Sequence, residues 1–411
     1  MKSEIKIVAG IFMAVLFLAG VGFYIKNYSS NQMPVSPFSI SSNIFSIFSP
    51  QKRADYIVYG YLPYWTIEST KYLQMDKLTD IAYFGLYIEK DGNFKQATLN
   101  DQGNTIPEPG YAIWKNDKKL DDLIAKAKKA GVRFALTVIA HEDETTNKFL
   151  DCRTCWDNLL NNIKTELNSK QITNVNLNFE YSEYTDDDKA QKFTKLVKYF
   201  NNELDKTYKD SFLVVSAFAD SSIKSRISSR LNELGREADG IFIMAYDFHR
   251  PTSDNAGPVS PIGGMGKVSE YDLNTMLKDF LSQIAPNKLI LGVPYYGYNW
   301  LVSNSEPYAA RIEGNDENGF SQSQVYDKIM QDIKEVKANM LWDSIAQVPY
   351  YSYTSPETAQ IRQVYFENAQ SLGLKYGLVK QNNLAGIGIW ALGYDGDRPE
   401  LWDLIGKEFL K

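Results

Sequence analysis

The chain has 411 residues, 44% of them hydrophobic and 13% aromatic, with a formal net charge of −6. It is long enough for two average domains or one large barrel with extras, and apolar enough for a sizeable core. The acidic balance gives no electrostatic footing for nucleic acid, and two histidines, His141 and His249, are too few for a His-rich metal site.

Between Lys6 and Lys26 the run Ile7 to Ile25 carries no charged residue. A helix of that length can span a bilayer, and Lys2 and Lys6 bias its N-terminus inward. A cleaved signal peptide is the alternative, but the run is long for one and no A-x-A site follows. Residues 1–26 are therefore expected to form a transmembrane anchor. Residues 27–52, rich in Ser, Asn, Pro and Gln, read as a flexible linker. On either reading residues 53–411 lie outside the cytoplasm, tethered to the cell membrane or secreted. The only cysteines, Cys152 and Cys155, cannot complete a zinc site. In an exported chain they form a local disulfide.

Tyr56–Leu62 reads as the first strand and runs into Pro63-Tyr64-Trp65. Leu78–Ile88 is the second, followed by an Asp91-Gly92 turn. Leu120, Leu123, Ile124 and Ala127 recur at helical spacing before Gly131, a helix stop. Val132–Ile139 is the third strand, and Trp156, Leu159, Leu160, Ile163 and Leu167 stripe the next helix. The fourth, Ile172–Tyr181, alternates Val175, Leu177 and Phe179 with Asn174, Asn176, Asn178 and Glu180. Asparagine is a poor strand former, so a row of three ending in a carboxylate suggests a buried polar site rather than a face turned to water. Phe212–Phe218, Gly240–Asp247, Leu289–Tyr295 and Gly386–Leu392 are the fifth to eighth strands, with helical stripes between them.

Eight strands alternating with amphipathic helices imply parallel pairing. The expected fold is an α/β class (β/α)8 TIM barrel preceded by the transmembrane helix. A plain barrel needs about 250 residues. The excess is assigned to a small α+β insertion between strands seven and eight, with residues 300–353 part of it. Active sites in this fold sit where strands end. The strand ends carry Tyr61, Trp65, Phe84, Asn176, Asn178, Glu180, Met244, Tyr246, Asp247, Tyr295, Tyr296, Tyr298 and Trp390. An aromatic mouth with a few carboxylates suits a carbohydrate.

Five segments in order resemble the family 18 glycoside hydrolases, which include the chitinases. Gly60-Tyr-Leu-Pro-Tyr-Trp65 is similar to the family's first strand, and Thr173-Asn-Val-Asn-Leu-Asn-Phe-Glu180 lies where the family has D-G-x-D-x-D-x-E. Met244-Ala-Tyr-Asp247 with Ala256-Gly-Pro258, Pro294-Tyr-Tyr-Gly-Tyr298 and Gly388-Ile-Trp-Ala-Leu-Gly-Tyr-Asp395 resemble its sixth, seventh and eighth strands. The resemblance covers about residues 55 to 408.

The resemblance implies cleavage of β-1,4-linked N-acetylglucosamine glycans, of chitin or peptidoglycan type, by retaining, substrate-assisted catalysis. Glu180 would be the general acid/base. Tyr246 would hold the acetamido group that attacks C1, Asp247 would bind nearby sugar polar groups, and Trp390 would floor the distorted sugar. The implied partner is an N-acetylglucosamine-containing polysaccharide; no metal or organic cofactor is implied. Thr173, Asn176 and Asn178 depart from the family's aspartates, and Leu136-Thr-Val-Ile139 departs from its S-x-G-G. Asn178 matters most, because an amide can accept the acetamido N–H but cannot supply negative charge. The alternative is therefore a non-catalytic, lectin-like glycan binder on the same barrel.

Overall fold

The computed structural model describes residues 56–410. The expected anchor (1–26) and linker (27–52) lie outside the described residues. In chain order the strands begin with β1 (Ile57–Pro63) and β2 (Asp80–Tyr87), then a short hairpin of β3 (Ala97–Leu99) and β4 (Thr105–Pro107). Next come β5 (Arg133–Ala140), β6 (Asn174–Phe179), β7 (Leu213–Phe218), β8 (Gly240–Met244) and β9 (Leu289–Pro294). Then follow β10 (Tyr296–Leu301), β11 (Gln322–Val325), β12 (Leu341–Asp343), β13 (Val348–Thr354), β14 (Ile361–Tyr365) and β15 (Gly386–Trp390). Strands β1, β2, β5, β6, β7, β8, β9 and β15 close into a parallel barrel in the order β1-β15-β9-β8-β7-β6-β5-β2. These are the eight strands expected from the sequence.

The helices bury the stripes that their spacing predicts. Leu120, Leu123, Ile124 and Ala127 are buried on helix Lys118–Ala130, which stops at Gly131 in the left-handed conformation, φ 73°. Helix Arg153–Lys170 buries Trp156, Leu159, Leu160, Ile163 and Leu167. These faces pack on the outward residues of the strands, as in βα layering. The fold class needs one correction. Among the described residues no helix is long and apolar enough to cross a membrane, so the described architecture is the barrel and its insertion, without a transmembrane helix. Even the 21-residue helix Asp187–Thr207 is amphipathic: Phe193, Leu196, Val197 and Phe200 face the core, while its lysines and aspartates line the other side.

The insertion is larger than residues 300–353. A five-stranded sheet, order β11-β10-β14-β13-β12, starts at Tyr296 and runs to Tyr365, with helix Tyr326–Glu335 beside it. Its pairings are antiparallel. No turn signal separates β9 from β10; Tyr295 anchors the junction by donating its backbone N–H to Trp390 O at 2.7 Å. The sequence carries the seventh strand to Tyr295 and starts the insertion at residue 300; in the structure β9 ends at Pro294 and β10 begins at Tyr296.

Inside the barrel, Tyr59, Tyr61, Phe84, Phe242, Met244 and Ile290 form one buried cluster. The asparagine row joins them rather than facing water: Asn174 is 6%, Asn176 0% and Asn178 2% exposed. Each level is bonded differently, and Asn176 Oδ1 has no hydrogen-bond partner among the described residues. Asn174 donates to Phe134 O at 3.2 Å, and Asn176 donates to Val214 O and Ser216 Oγ at 3.3 Å each. Ser216 also bonds the Tyr61 hydroxyl at 2.7 Å. The polar ladder thus rises through an apolar interior and ends at the barrel's C-terminal mouth.

Candidate active site

Register positions the site. Ile139 of β5 pairs with Asn178 of β6, and the Glu180 N–H donates to Ala140 O at 2.9 Å. The next residue on each chain therefore meets at the mouth. Asn178 Nδ2 donates to Glu180 Oε1 at 2.8 Å and lies 2.9 Å from His141 Nε2. His141 Nε2 is 3.3 Å from the same Glu180 oxygen. His141 and Glu180 remain partly exposed, at 30% and 34% of their side chains; Glu180 lines the cavity and His141 stands behind it.

A cavity of about 270 Å³ opens over this group. Tyr61, Asn178, Glu180, Met244, Tyr246, Asp247, Tyr296 and Trp390 line it. Eight of the residues expected at the site therefore converge. Asp247 occupies a left-handed backbone position, φ 63°, a conformation that Asp tolerates better than most residues. There its Oδ1 accepts hydrogen bonds from the hydroxyls of Tyr296 and, at 2.6 Å, Tyr298. Barrel and insertion clamp one carboxylate between them. The Tyr246 hydroxyl is held protonated, with its pKa far above the ordinary range, first by burial and then by the neighbouring Tyr61 and Glu180. It is a hydrogen-bond donor at neutral pH.

Four other expected residues lie elsewhere. Asn176 is fully buried one layer below the cavity. Phe84 supports Trp390 from beneath, ring centroids 4.7 Å apart and nearly perpendicular. Trp65 is 48% exposed on the rim, its Nε1 donating to Tyr394 O–H at 3.2 Å. Tyr295 does not reach the cavity: it is buried in the outer core, its hydroxyl 3.4 Å from that of Tyr376. Side-chain alternation along the chain sends Tyr296 to the cleft and Tyr295 away from it.

Sequence reasoning missed His141, Arg250 and the charged wall of Asp220, Lys224, Arg226 and Glu270. His141 follows directly on β5, a strand end with a titratable residue, and that position was its signal. In the charged wall, Arg226 grips Asp220 through two bonds of 2.9 and 2.7 Å. Lys224 lies 3.1 Å from Glu270 and 3.5 Å from Asp220, and Arg250 Nε 3.7 Å from Asp247 Oδ2.

The electrostatics of Glu180 run against the expectation for an acid. Burial pushes its pKa up, but the hydrogen bond and charge of His141, the Asn178 amide and the charge of Arg250 together pull it below the usual carboxylate value. A carboxylate in place of Asn178 would act in the opposite direction.

The sequence matches the model of the glycosyl hydrolases family 18 over residues 57–395. The chain belongs to that family. It is 27% identical to the cortical fragment-lytic enzyme of Bacillus subtilis over 279 residues, 66% of this chain and 57% of that one. Against di-N-acetylchitobiase of Homo sapiens it is 29% identical over 190 residues, 42% of this chain and 48% of that one. The chain spans less than two thirds of the length of these relatives. Its fold resembles that of the Bacillus megaterium spore cortex-lytic enzyme SleL, TM-score 0.67 at 21% identity, covering 88% of this chain and 75% of that one. It likewise resembles the Ostrinia furnacalis Group IV chitinase, crystallised with allosamidin, TM-score 0.70 at 19% identity, covering 86% and 98%.

Proposed function

We propose that this family 18 chain hydrolyses β-1,4-linked N-acetylglucosamine glycans with retention, Glu180 acting as general acid/base. The observation that carries this reading is the convergence of Glu180, Asn178, Tyr246, Asp247 and Trp390 on one cavity at the barrel's C-terminal mouth. In this mechanism Glu180 gives its proton to the glycosidic oxygen while the substrate's acetamido oxygen attacks C1. Glu180, now a carboxylate, takes a proton from the water that opens the oxazolinium intermediate. Tyr246 donates to the acetamido oxygen, Asn178 Oδ1 accepts its N–H, and Trp390 packs under the sugar ring.

Among such glycans we favour peptidoglycan over chitin. Chitin is uncharged, whereas the cavity continues into Lys224, Arg226, Asp220 and Glu270, groups suited to a substrate bearing carboxylates and amines. The cortex-lytic relative supports the same choice. An extracytoplasmic setting belongs to this proposal, supported by the Cys152–Cys155 disulfide.

The second reading, a binder that does not cut, is favoured by one observation: Glu180 is held ionised where an acid must hold its proton. Offering N-acetylglucosamine oligomers and peptidoglycan strands to the protein across a pH series separates the two. Cleavage that E180Q abolishes is the expected result. Binding without cleavage at every pH would leave the binder.

A further inference from the structure

We propose that His141 is a positioning residue: its imidazole and the Glu180 carboxyl share one end of the Asn178 amide, so that the amide's orientation, the proton on Glu180 and the tautomer of His141 change together. The proposal rests on Glu180 being the working acid, and it concerns how that acid is loaded.

The geometry requires this coupling. A single atom of Asn178 faces both Glu180 Oε1, at 2.8 Å, and His141 Nε2, at 2.9 Å. As Nδ2, that atom has two hydrogens. One goes to an ionised Glu180, the other to the lone pair of Nε2 when His141 is the neutral Nδ1–H tautomer; a protonated His141 instead faces Glu180 Oε1 directly, 3.3 Å from Nε2. Rotating the amide by half a turn puts Oδ1 in the same place with two lone pairs. It then accepts from Glu180 O–H and from His141 Nε2–H. The first arrangement fits the spent acid, the second the loaded one. A mixed arrangement sets two donors or two acceptors against each other at under 3 Å. The proton balance closes through solvent: Glu180 gains one proton on loading, and His141, 30% exposed, exchanges one between its two nitrogens. In the spent arrangement the amide oxygen is free for the substrate N–H; among the described residues no side chain or backbone group donates to it.

Other charged or titratable groups facing the pair are few. Arg250, after β8, acts on Glu180 through space in the same direction as His141. Tyr61 from β1, Tyr87 from β2 and Tyr246 face Glu180. Burial chiefly drives the Tyr87 pKa up to about 12 and raises those of Tyr61 and Tyr246 as well, so all three stay neutral over the range in which Glu180 titrates. Tyr87 also stands perpendicular to the His141 ring at 5.7 Å. Glu142, next in the chain, turns away to Lys95 at 3.2 Å. His141 is thus the one imidazole that touches both Glu180 and the amide beside it.

The test is the pH profile of kcat/KM on a fluorogenic N-acetylglucosamine oligomer for the wild type, H141F and H141Q. The limb on which activity falls with rising pH follows the free enzyme's acid. H141F should move that limb upward by about one pH unit, roughly a tenfold relative gain on the alkaline side, while lowering kcat at the optimum because the amide is released. H141Q, whose amide can hold Asn178 but carries no imidazole, should recover part of that kcat and keep the moved limb. Coincident limbs in all three proteins would overturn the proposal. A second readout needs no turnover. The chain has two histidines, so 15N-labelled histidine gives two imidazoles. E180Q and N178A should shift the nitrogen signals of His141. Those of His249, bonded to Pro258 O at 3.0 Å, should stay fixed and report an intact fold. Unchanged His141 signals would refute the coupling. An absence of cleavage with the His141 signals still responsive would instead refute the hydrolase reading alone.

Discussion

At the residue scale the site turns on one missing charge. Asn178 occupies the position where the family motif has an aspartate, and it donates to Glu180 instead of repelling it. Two carboxylates at that separation cannot both ionise, so N178D should force a shared proton onto the pair and raise the apparent pKa of the acid. With Glu180 starting below its ordinary value, the alkaline limb of the kcat/KM profile in N178D should move up by about one to two units. Activity at neutral pH should rise roughly tenfold or more. A neutral-pH rate at or below that of the wild type would show that the amide is adapted to this chain's own chemistry. Tyr246 offers a separate check. Its buried hydroxyl is a fixed donor, and removing one such donor from a developing charge costs about 10²–10³ in kcat. Y246F should show that loss in kcat with little change in KM; a loss confined to KM would mean that the hydroxyl only binds.

At the element scale the barrel is held by what its strands omit as much as by what they carry. Gly388 of β15 faces the interior, and a Cβ there would meet the Phe242 ring at 2.0 Å. Phe242 in turn packs against Tyr61 with centroids 4.8 Å apart, so it cannot retreat without disturbing a cavity wall. G388A should destabilise the protein by about 1–3 kcal/mol. The reading is a lower urea midpoint with an unchanged slope, and an unshifted midpoint would mean that the ring has room to move. These strands also show what was legible in sequence. Periodicity and the burial of continuous apolar runs placed all eight barrel strands, because a two-sided buried strand leaves little ambiguity once the helical stripes fix its neighbours. The insertion was under-read. β11 and β12 are short, four and three residues, and β10 begins at Tyr296 after β9 ends at Pro294, with no turn between them. Glu180, Tyr246, Asp247 and Trp390 were legible from motif and strand end together. His141 was not, since its partner is set by the β5–β6 register and not by any sequence spacing. Tyr295 was misplaced because position at a strand end does not fix which face a side chain takes, and alternation does: Leu291, Val293 and Tyr295 share the outward face, Ile290 and Tyr296 the other.

At the scale of the whole molecule, barrel, insertion and closing helix meet at one corner, and a buried carboxyl sits there. The turn after β15 places the Tyr394 carbonyl where it accepts the Asp327 N–H at 2.9 Å, at the start of the insertion helix. Arg398 Nε donates to Asp327 Oδ1 at 2.7 Å, and the Tyr326 hydroxyl to Glu400 Oε1, on helix Glu400–Phe409, at 3.0 Å. Asp395 lies within this junction, 1% exposed, and its Oδ2 has no hydrogen-bond partner. Burial raises its pKa from 3.8 to about 7. The folded protein therefore keeps a proton that the unfolded chain releases at lower pH. The resulting stability is fully present below about pH 4 and is lost as pH rises through about 7. If the whole shift is realised, the loss is on the order of 4 kcal/mol. D395N removes the titration while keeping the shape. Its melting temperature relative to the wild type should therefore climb between about pH 4 and pH 7 and level off above, a stability effect distinct from the alkaline limb of activity set by Glu180. Parallel melting curves for the two proteins across that window would mean that Asp395 stays ionised at the junction, its charge balanced by groups around it.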